Sequence, residues 1–140
     1  MRQNLREARR ILEEHRMSCV LYRDGTVFES NLRGVAPLME FLDGSVDVQD
    51  FSAADKVVGK AAAFLYCLLD VKEVYADVIS RPALDVLQDF GIAAEYGALT
   101  DRILNRSRQG YCPMESAVRD VSSPERALTV IRASLKTKIL

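Results

Sequence analysis

Residues 52–69 read SAADKVVGKAAAFLYCLL, and the rest of the chain is organised around them. Their apolar positions recur every three or four residues, and over residues 61–69 no side carries a charge. This pattern is typical of a helix that is buried all round. Asp55, Lys56 and Lys60 fall in its first turns, where free N–H groups and the positive end of the helix dipole point outward. We therefore expect a core helix over residues 52–69 and a functional site at its start.

The length and the charge balance exclude several classes of protein. At 140 residues the chain is long enough for one domain with a substantial core, and we expect a single domain over residues 1–140. Nineteen basic and 20 acidic residues give a net charge of -1, which argues against bulk capture of nucleic acid or of an acidic membrane. No apolar run approaches the ~20 residues of a membrane span, and residues 1–10 are too charged for a signal peptide. We expect a cytoplasmic protein.

The cysteines indicate free thiols. Cys19, Cys67 and Cys112 are odd in number and lack C-x-x-C spacing, and together with the single His15 they do not form a structural zinc set. Free thiols are typical of a reducing compartment. We expect neither a bound metal nor a cofactor.

The segments before the core helix predict a helix, a hairpin and a second helix. Asp24-Gly25 between two β-rich runs is a strong hairpin signal. A stripe of apolar residues on the first helix indicates that it covers one face of a sheet. The predicted bounds are residues 4–16 for this helix, 18–22 and 26–30 for the hairpin strands, and 34–42 for the second helix.

The segments after the core helix predict a βαβ unit and further helices. Ser80 and Pro82 form a helix start signal, with Ser80 as the N-cap, and Gly91 ends that helix. A strand on each side implies parallel pairing with a right-handed crossover. The other predicted elements are strands over residues 72–79 and 92–96, helices over 99–104 and 113–118, a polar loop over 105–110, and a last helix from a capping pattern at 122–125 to about 136.

The start of the predicted core helix is the first candidate site. Ser52 and Asp55 have capping-box spacing, and the simpler interpretation is that Asp55 only caps the helix. Lys56 and Lys60, four residues apart, would share a helix face where the dipole disfavours cations. An anionic ligand would explain them, although simple exposure to solvent is the alternative. Gly59 and Lys60 resemble the end of a phosphate-binding P-loop, but the earlier glycine is missing and no strand is predicted before them.

Cys112, Pro113 and Glu115 form the second candidate site. Cys112 falls at the N-cap of a proline-initiated helix, where the dipole favours a nucleophilic thiolate. Glu115 is placed to accept a hydrogen bond from the Cys112 N–H or to carry a proton. The alternative is a half-buried cysteine beside a capping glutamate. Cys19 and Cys67 are predicted to be core residues.

A basic stretch precedes this second site. Asn105 and Arg106, with Arg102 and Arg108, could hold a phosphate or a carboxylate, because the guanidinium fork suits both anions. A solvated loop is the alternative. A nucleic-acid surface is not the leading interpretation, because the stretch holds few basic residues and no recognised nucleic-acid-binding motif accompanies it.

The order of the predicted elements, together with two motifs, resembles a known family. The motifs are D-K-x-x-G-K-A-A-A over residues 55–63 and N-R-x-x-x-G-x-C-P-M-E over residues 105–115. They resemble the DUF1893 family of uncharacterised bacterial and archaeal proteins over residues 16–118. The resemblance implies a fold similar to that of cytidine deaminases: a three-layer αβα sandwich with a mixed sheet and a pocket at the N-terminal ends of the core helices. It implies no established activity.

Zinc deaminases carry His-x-Glu and Pro-Cys-x-x-Cys at the starts of two core helices. On this chain the first motif would fall near residues 55–57 and the second near residues 82–86, and those positions hold Asp55, Ala83 and Val86 instead of metal ligands. We therefore expect a protein that folds without zinc and does not deaminate cytidine.

Two hypotheses follow. In the first, the protein is a metal-independent enzyme or a binding protein for a small anionic, nucleotide-like compound. In the second, it is a non-catalytic regulatory or interaction domain that acts through a homo-oligomer or partner surface. The predicted site comprises Asp55, Cys112 and Glu115 as catalytic groups and Lys56, Gly59, Lys60, Asn105 and Arg106 as ligand-binding groups. Clustering of these groups around a cavity would favour the first hypothesis.

Overall fold

A five-stranded mixed sheet and six helices make up the part of the chain that the structure, a computed structural model, describes: residues 2–103 and 113–139. No helix in these two ranges is both long and apolar enough to cross a membrane. The elements in chain order are α1 (Gln3–Glu14), β1 (Cys19–Arg23), β2 (Thr26–Ser30), α2 (Ala36–Asp43), β3 (Ser52–Val58), α3 (Lys60–Leu69), β4 (Glu73–Ser80), α4 (Arg81–Asp89), β5 (Ala93–Thr100), α5 (Pro113–Ala117) and α6 (Pro124–Ile139).

The strands lie in the order β2-β1-β3-β4-β5. β1 is antiparallel to both β2 and β3, whereas β3, β4 and β5 are mutually parallel. Asp24 and Gly25 connect β1 to β2, with φ values of 48° and 95°. A two-residue hairpin turn with positive φ at both positions matches the twist of the strands, which is why Asp-Gly is favoured there. The predicted hairpin is confirmed.

Helices cover both faces of the sheet. α1 packs on one face against β1, β3 and β4, through a small core that contains Leu5, Leu12 and Tyr75. The other five helices contribute to a larger core on the opposite face. The two crossovers β3-α3-β4 and β4-α4-β5 advance across the sheet in one direction, so right-handed connections bring α3 and α4 to the same face. The predictions of a mixed sheet and of a first helix that covers one face are confirmed.

Residues 52–69 do not form one helix, so the central prediction is half wrong. Ser52–Val58 is the strand β3 and Lys60–Leu69 is the helix α3, with Gly59 between them at the N-cap. β3 lies between β1 and β4, and its first four residues are all buried. A parallel strand that is covered on both faces has no alternation of polar and apolar residues, so its small apolar residues read equally well as a buried helix. α3 itself is buried along most of its length, as predicted.

The remaining elements follow the prediction except near β5. The Oγ atom of Ser80 accepts a hydrogen bond from the Ala83 N–H at 3.2 Å, which confirms Ser80 as the N-cap of α4. The predicted helix over residues 99–104 is wrong over its described part: Leu99 and Thr100 pair with Ile79 and Ser80 as the end of β5, and residues 101–103 are not helical. α5 and α6 confirm the last two predicted helices. The predicted polar loop over residues 105–110 lies outside the described residues.

Candidate functional site

The candidate site lies where the three parallel strands end. β3 and β4 lead directly into the N-termini of α3 and α4, so both helix starts stand at the same edge of the sheet. α5 packs against α3 at this edge. The crevice outside the carboxyl ends of parallel strands is where α/β proteins commonly bind ligands. A strand does lead into Gly59, contrary to the sequence-based expectation.

Asp55 lies inside β3 rather than in the first turn of a helix, so the predicted capping box is wrong. Its side chain points toward α3, where the Tyr66 hydroxyl donates a hydrogen bond to Oδ2 at 2.6 Å. The Val57 N–H donates to Oδ1 at 3.3 Å. Ser52, the other half of the predicted box, donates its hydroxyl to Oε2 of the buried Glu73 at 2.5 Å. Asp55 is therefore a buried acid with a partner on each oxygen.

Burial controls the ionisation of the groups around Asp55. It raises the pKa of Asp55 to about 7, and the hydrogen bonds from Tyr66 and from the backbone only partly oppose this rise. Burial also raises the pKa of Tyr66 and that of Cys19 well above their usual ranges, so both stay neutral hydrogen-bond donors. Both forms of Asp55 are therefore populated near neutral pH. A buried acid of this kind beside a cavity is a functional-site candidate.

Glu115 occupies the N-terminus of α3. Its carboxylate oxygens accept hydrogen bonds from the N–H groups of Lys60 and Ala61, at 2.9 and 3.1 Å. The residue at the N-cap, Gly59, has no side chain that could do this, and a Cβ atom built on it would lie 2.5 to 2.7 Å from the Glu115 carboxylate atoms. Glu115 thus acts as a capping anion supplied by another helix. Gly59 makes room for this carboxylate.

Lys56 and Lys60 do not share a helix face, so that prediction is wrong. Lys56 is an exposed residue of the strand β3. Lys60 is the first residue of α3, and its Nζ donates to the carbonyl oxygen of Arg119 at 2.9 Å. The same ammonium group lies 5.7 Å from the centroid of the Phe64 ring. Each lysine must therefore be assigned a role of its own.

Two of the cavities that the described residues line at this edge of the sheet adjoin each other at Glu115. The first, which we name the Asp55 cavity, has a volume of about 210 Å³ and lies between β3, the segment before α2, and the starts of α3 and α5. The second, the Lys60 cavity, has a volume of about 270 Å³. Ile103 and Glu115 line both. The charged residues of the described ranges that line them are Arg33, Asp55, Lys56 and Glu115 in the Asp55 cavity, and Lys60, Arg102, Glu115 and Arg119 in the Lys60 cavity.

The structure brings together five of the eight predicted site residues. Glu115 lines both cavities, and each of the other four lines one of them: Asp55, Lys56 and Gly59 the first, and Lys60 the second. The other three predicted site residues, Cys112, Asn105 and Arg106, lie outside the described residues. Within the two described ranges, no group of three or more His, Cys, Asp or Glu side chains is placed to hold a metal ion.

The sequence interpretation missed Tyr66, Cys19, Arg33 and Arg119. A signal existed for Tyr66, because a tyrosine inside an apolar helix needs a partner for its hydroxyl when it is buried. The partner lies in the preceding strand, eleven residues away. Arg33 and Arg119 are exposed and follow no pattern that distinguishes them from other surface arginines.

Comparison with known proteins identifies the family. Residues 7–135 match the family described as TM1506, a domain of unknown function (DUF1893). The crystal structure of a DUF1893 family protein, TM1506 from Thermotoga maritima, is similar to this chain with a TM-score of 0.87 and 30% sequence identity, covering 95% of this chain and 91% of that one. None of the curated proteins matches this chain significantly in sequence. Because the family match spans most of the sequence, the chain belongs to the DUF1893 family.

Proposed function

We propose that this protein binds a small nucleotide-like ligand across the Asp55 cavity and the Lys60 cavity. The observation that carries the proposal is their arrangement: a buried carboxyl group lines one cavity, and three basic side chains line the cavity beside it. A nucleotide combines a heterocycle that can hydrogen-bond to a carboxyl group with an anionic phosphate. We assign the heterocycle to the Asp55 cavity and the phosphate to the Lys60 cavity.

The Asp55 cavity suits the heterocycle. Its walls include the apolar side chains of Val35, Ala62 and Met114, and Asp55 is an acid within an otherwise largely apolar surface. Ligand sites commonly combine apolar walls with a few placed polar groups. With a pKa of about 7, Asp55 can accept a hydrogen bond from a ring amino group or donate one to a ring nitrogen.

The Lys60 cavity suits the anionic group. Lys60, Arg102 and Arg119 supply the cationic donors there. The first-turn N–H groups of α3, which the sequence suggested as the anion site, are already bonded to Glu115. We therefore assign the anion to the basic side chains and give Glu115 a structural role.

We also propose that the fold is of the cytidine deaminase-like αβα type, because helices cover both faces of the sheet and two core helices start beside the cavities. The zinc that such a fold implies does not fit this chain. The first turn of α3 carries Lys60 and Ala61, and that of α4 carries Arg81 and Ala83, none of which is a zinc ligand. Any reaction at this site would instead use Asp55 to exchange a proton, with Cys112 as the nucleophile predicted from the sequence.

Thermal shift and calorimetry with adenosine monophosphate, cytidine monophosphate and inorganic phosphate test the proposal. We expect the nucleotides to stabilise the protein more than phosphate does, because phosphate fills only the Lys60 cavity. Lys60→Ala is expected to weaken nucleotide binding by about 1 to 3 kcal/mol, the usual cost of a lost charge-assisted hydrogen bond. Lys72→Ala is the matched control, because Lys72 is exposed and directly precedes β4, at the opposite end of that strand from the cavities. No stabilisation by any probe, or equal binding by the two variants, would reject the proposal.

The alternative function is an interaction domain, and one observation favours it. Tyr96 of β5, a strand at the end of the strand order, is 41% exposed, and Phe90, which directly follows α4, is 48% exposed. Exposed aromatic side chains at a sheet edge are typical of a contact surface. Sedimentation analysis of the wild type and of a Tyr96→Ser variant distinguishes a self-associating domain from a monomeric binding protein.

A further inference from the structure

We propose that Tyr66 is the positioning residue of the Asp55 cavity: its hydroxyl holds the Asp55 carboxyl in one orientation, and Cys19 in turn orients that hydroxyl. The inference rests on the proposed ligand site and assigns the groups that control its acid. Tyr66 and Cys19 are 0% and 1% exposed, so neither can touch a ligand directly. Any effect they have on the cavity must pass through Asp55.

Three elements bring these side chains together. Cys19 of β1 pairs with Asp55 of β3 in the sheet, and Tyr66 reaches them from the middle of α3. The Tyr66 oxygen lies 2.6 Å from Oδ2 of Asp55 and 3.4 Å from Sγ of Cys19. An ionised carboxylate can only accept, so the Tyr66 hydroxyl then donates to Asp55 and the Cys19 thiol donates to Tyr66. The result is a buried series of two hydrogen bonds, from Cys19 through Tyr66 to Asp55, and Asp55 lines the cavity.

The hydrogen bond from Tyr66 has a defined effect on Asp55. After burial, which disfavours the charged form, it is the largest influence on the carboxyl group and it favours the charged form. The charge of Asp77 in β4 adds a smaller effect in the same direction as burial. Among the residues that the structure describes, the remaining charged or titratable groups that face Asp55 or line its cavity are Cys19 from β1, Lys56 from β3, Glu115 from α5 and Arg33 from the segment before α2. Tyr66 is thus the side chain that keeps Asp55 ionisable near neutral pH.

Titration of the Asp55 carboxyl group by carbon-13 NMR tests this role without any ligand. Removal of the hydroxyl in Tyr66→Phe is expected to move the titration midpoint upward by about one to two pH units, the equivalent of one hydrogen bond to a charged group. Tyr75→Phe is the matched control, because it removes a tyrosine hydroxyl bonded to Asp77, next to α1 on the other face of the sheet. The Asp55 midpoint should be unchanged in that variant. An unchanged midpoint in Tyr66→Phe, or equal shifts in both variants, would overturn the inference.

Cys19→Ala provides a second test if Tyr66→Phe does not fold. Without the thiol donor, the Tyr66 hydroxyl becomes a weaker donor to Asp55, so a smaller upward shift of the same midpoint is expected. No shift would overturn the part of the inference that concerns Cys19.

Calorimetry with adenosine monophosphate at a series of pH values around neutrality tests whether these hydrogen bonds affect ligand binding. The pH profile of binding should move with the Asp55 midpoint in Tyr66→Phe and stay in place in Tyr75→Phe. A shifted midpoint with an unshifted binding profile would overturn the positioning role. If the wild type binds no nucleotide, the proposed function fails, and the ligand-free titration still decides whether Tyr66 controls Asp55.

Discussion

Two tyrosine–aspartate hydrogen bonds lie on opposite faces of the same sheet, and they differ in their surroundings. Tyr66 donates to Asp55 at 2.6 Å on the α3 face, whereas Tyr75 donates to Asp77 at 3.0 Å on the α1 face. Asp55 is buried beside a cavity, but Asp77 is partly exposed, and the guanidinium of Arg9 lies 4.3 Å from the Tyr75 ring centroid. The same pair of residue types therefore forms a partly exposed contact in one place and encloses a titratable acid in the other. Removal from water makes the difference.

Asp55→Asn is expected to have the largest effect. The substitution should change how the unfolding free energy depends on pH. Burial raises the pKa of Asp55 from 3.8 to about 7, so the folded protein holds this proton more tightly than the unfolded chain does. The resulting stabilisation is complete below the unfolded pKa and is lost as the pH rises through about 7. Over that range the wild type should lose about 4 kcal/mol of unfolding free energy relative to Asp55→Asn. Urea unfolding at a series of pH values measures this loss.

Asp77→Asn is the control for this experiment, because it alters the partly exposed member of the comparison. Its unfolding free energy should have nearly the same pH dependence as that of the wild type, because the charge of Asp77 is the smallest of the influences on the pKa of Asp55. If the wild type and Asp55→Asn curves run parallel, Asp55 is not the buried titrating acid, and the contrast between the two faces disappears.

The second prediction concerns the other acid of the Asp55 cavity, Glu115, and tests whether it caps α3. Gly59→Ala places a methyl group against the Glu115 carboxylate and should displace it from the start of α3. Gly59 has φ -97° and ψ 179°, a conformation that alanine adopts freely, so the substitution adds no backbone strain and most of its cost comes from the displaced contact. Loss of the two hydrogen bonds is expected to lower the unfolding free energy by about 2 kcal/mol.

A double-mutant cycle isolates that contact. In a Glu115→Ala background, Gly59→Ala should cost less than about 1 kcal/mol, because no carboxylate remains to be displaced and only the weaker N-cap preference of alanine is left. Equal costs in the two backgrounds would show that Glu115 does not cap α3. Glu115 would then be available to act as the proton carrier that the sequence suggested.

The smallest expected effect concerns the reactivity of the thiols. It tests whether solvent reaches the buried group formed by Cys19, Tyr66 and Asp55. Burial raises the pKa of Cys67 to about 11, and Cys19 is almost completely buried. Timed alkylation of the folded protein, followed by mass spectrometry, should label Cys67 slowly and Cys19 last. The sequence predicts that Cys112 reacts first. Labelling of Cys19 as fast as Cys67 would mean that water readily reaches the hydrogen bonds between Cys19, Tyr66 and Asp55.

Local signals predicted a large part of the fold. The Asp24-Gly25 turn, the Ser80 cap and the helical second half of residues 52–69 were predicted correctly, because each depends on residues close together in sequence. β3 was missed because a small-residue strand buried on both faces lacks alternation, and its backbone hydrogen bonds go to β1 and β4. That one error also misplaced Asp55 and Lys56 on a helix.

The candidate site was predicted as a set of residue types and not as a geometry. The sequence by itself determined the family motifs, the apolar helix α3 and the concentration of charged groups around residues 55–60. Only the tertiary structure decided which atoms meet, because Tyr66 and Asp55 are eleven residues apart on different elements and Glu115 reaches Lys60 over 55 residues. Such contacts follow from how strands and helices pack, and no local spacing encodes them. Burial, which sets the pKa of Asp55, is likewise a property of the packed sheet and helix rather than of the residue.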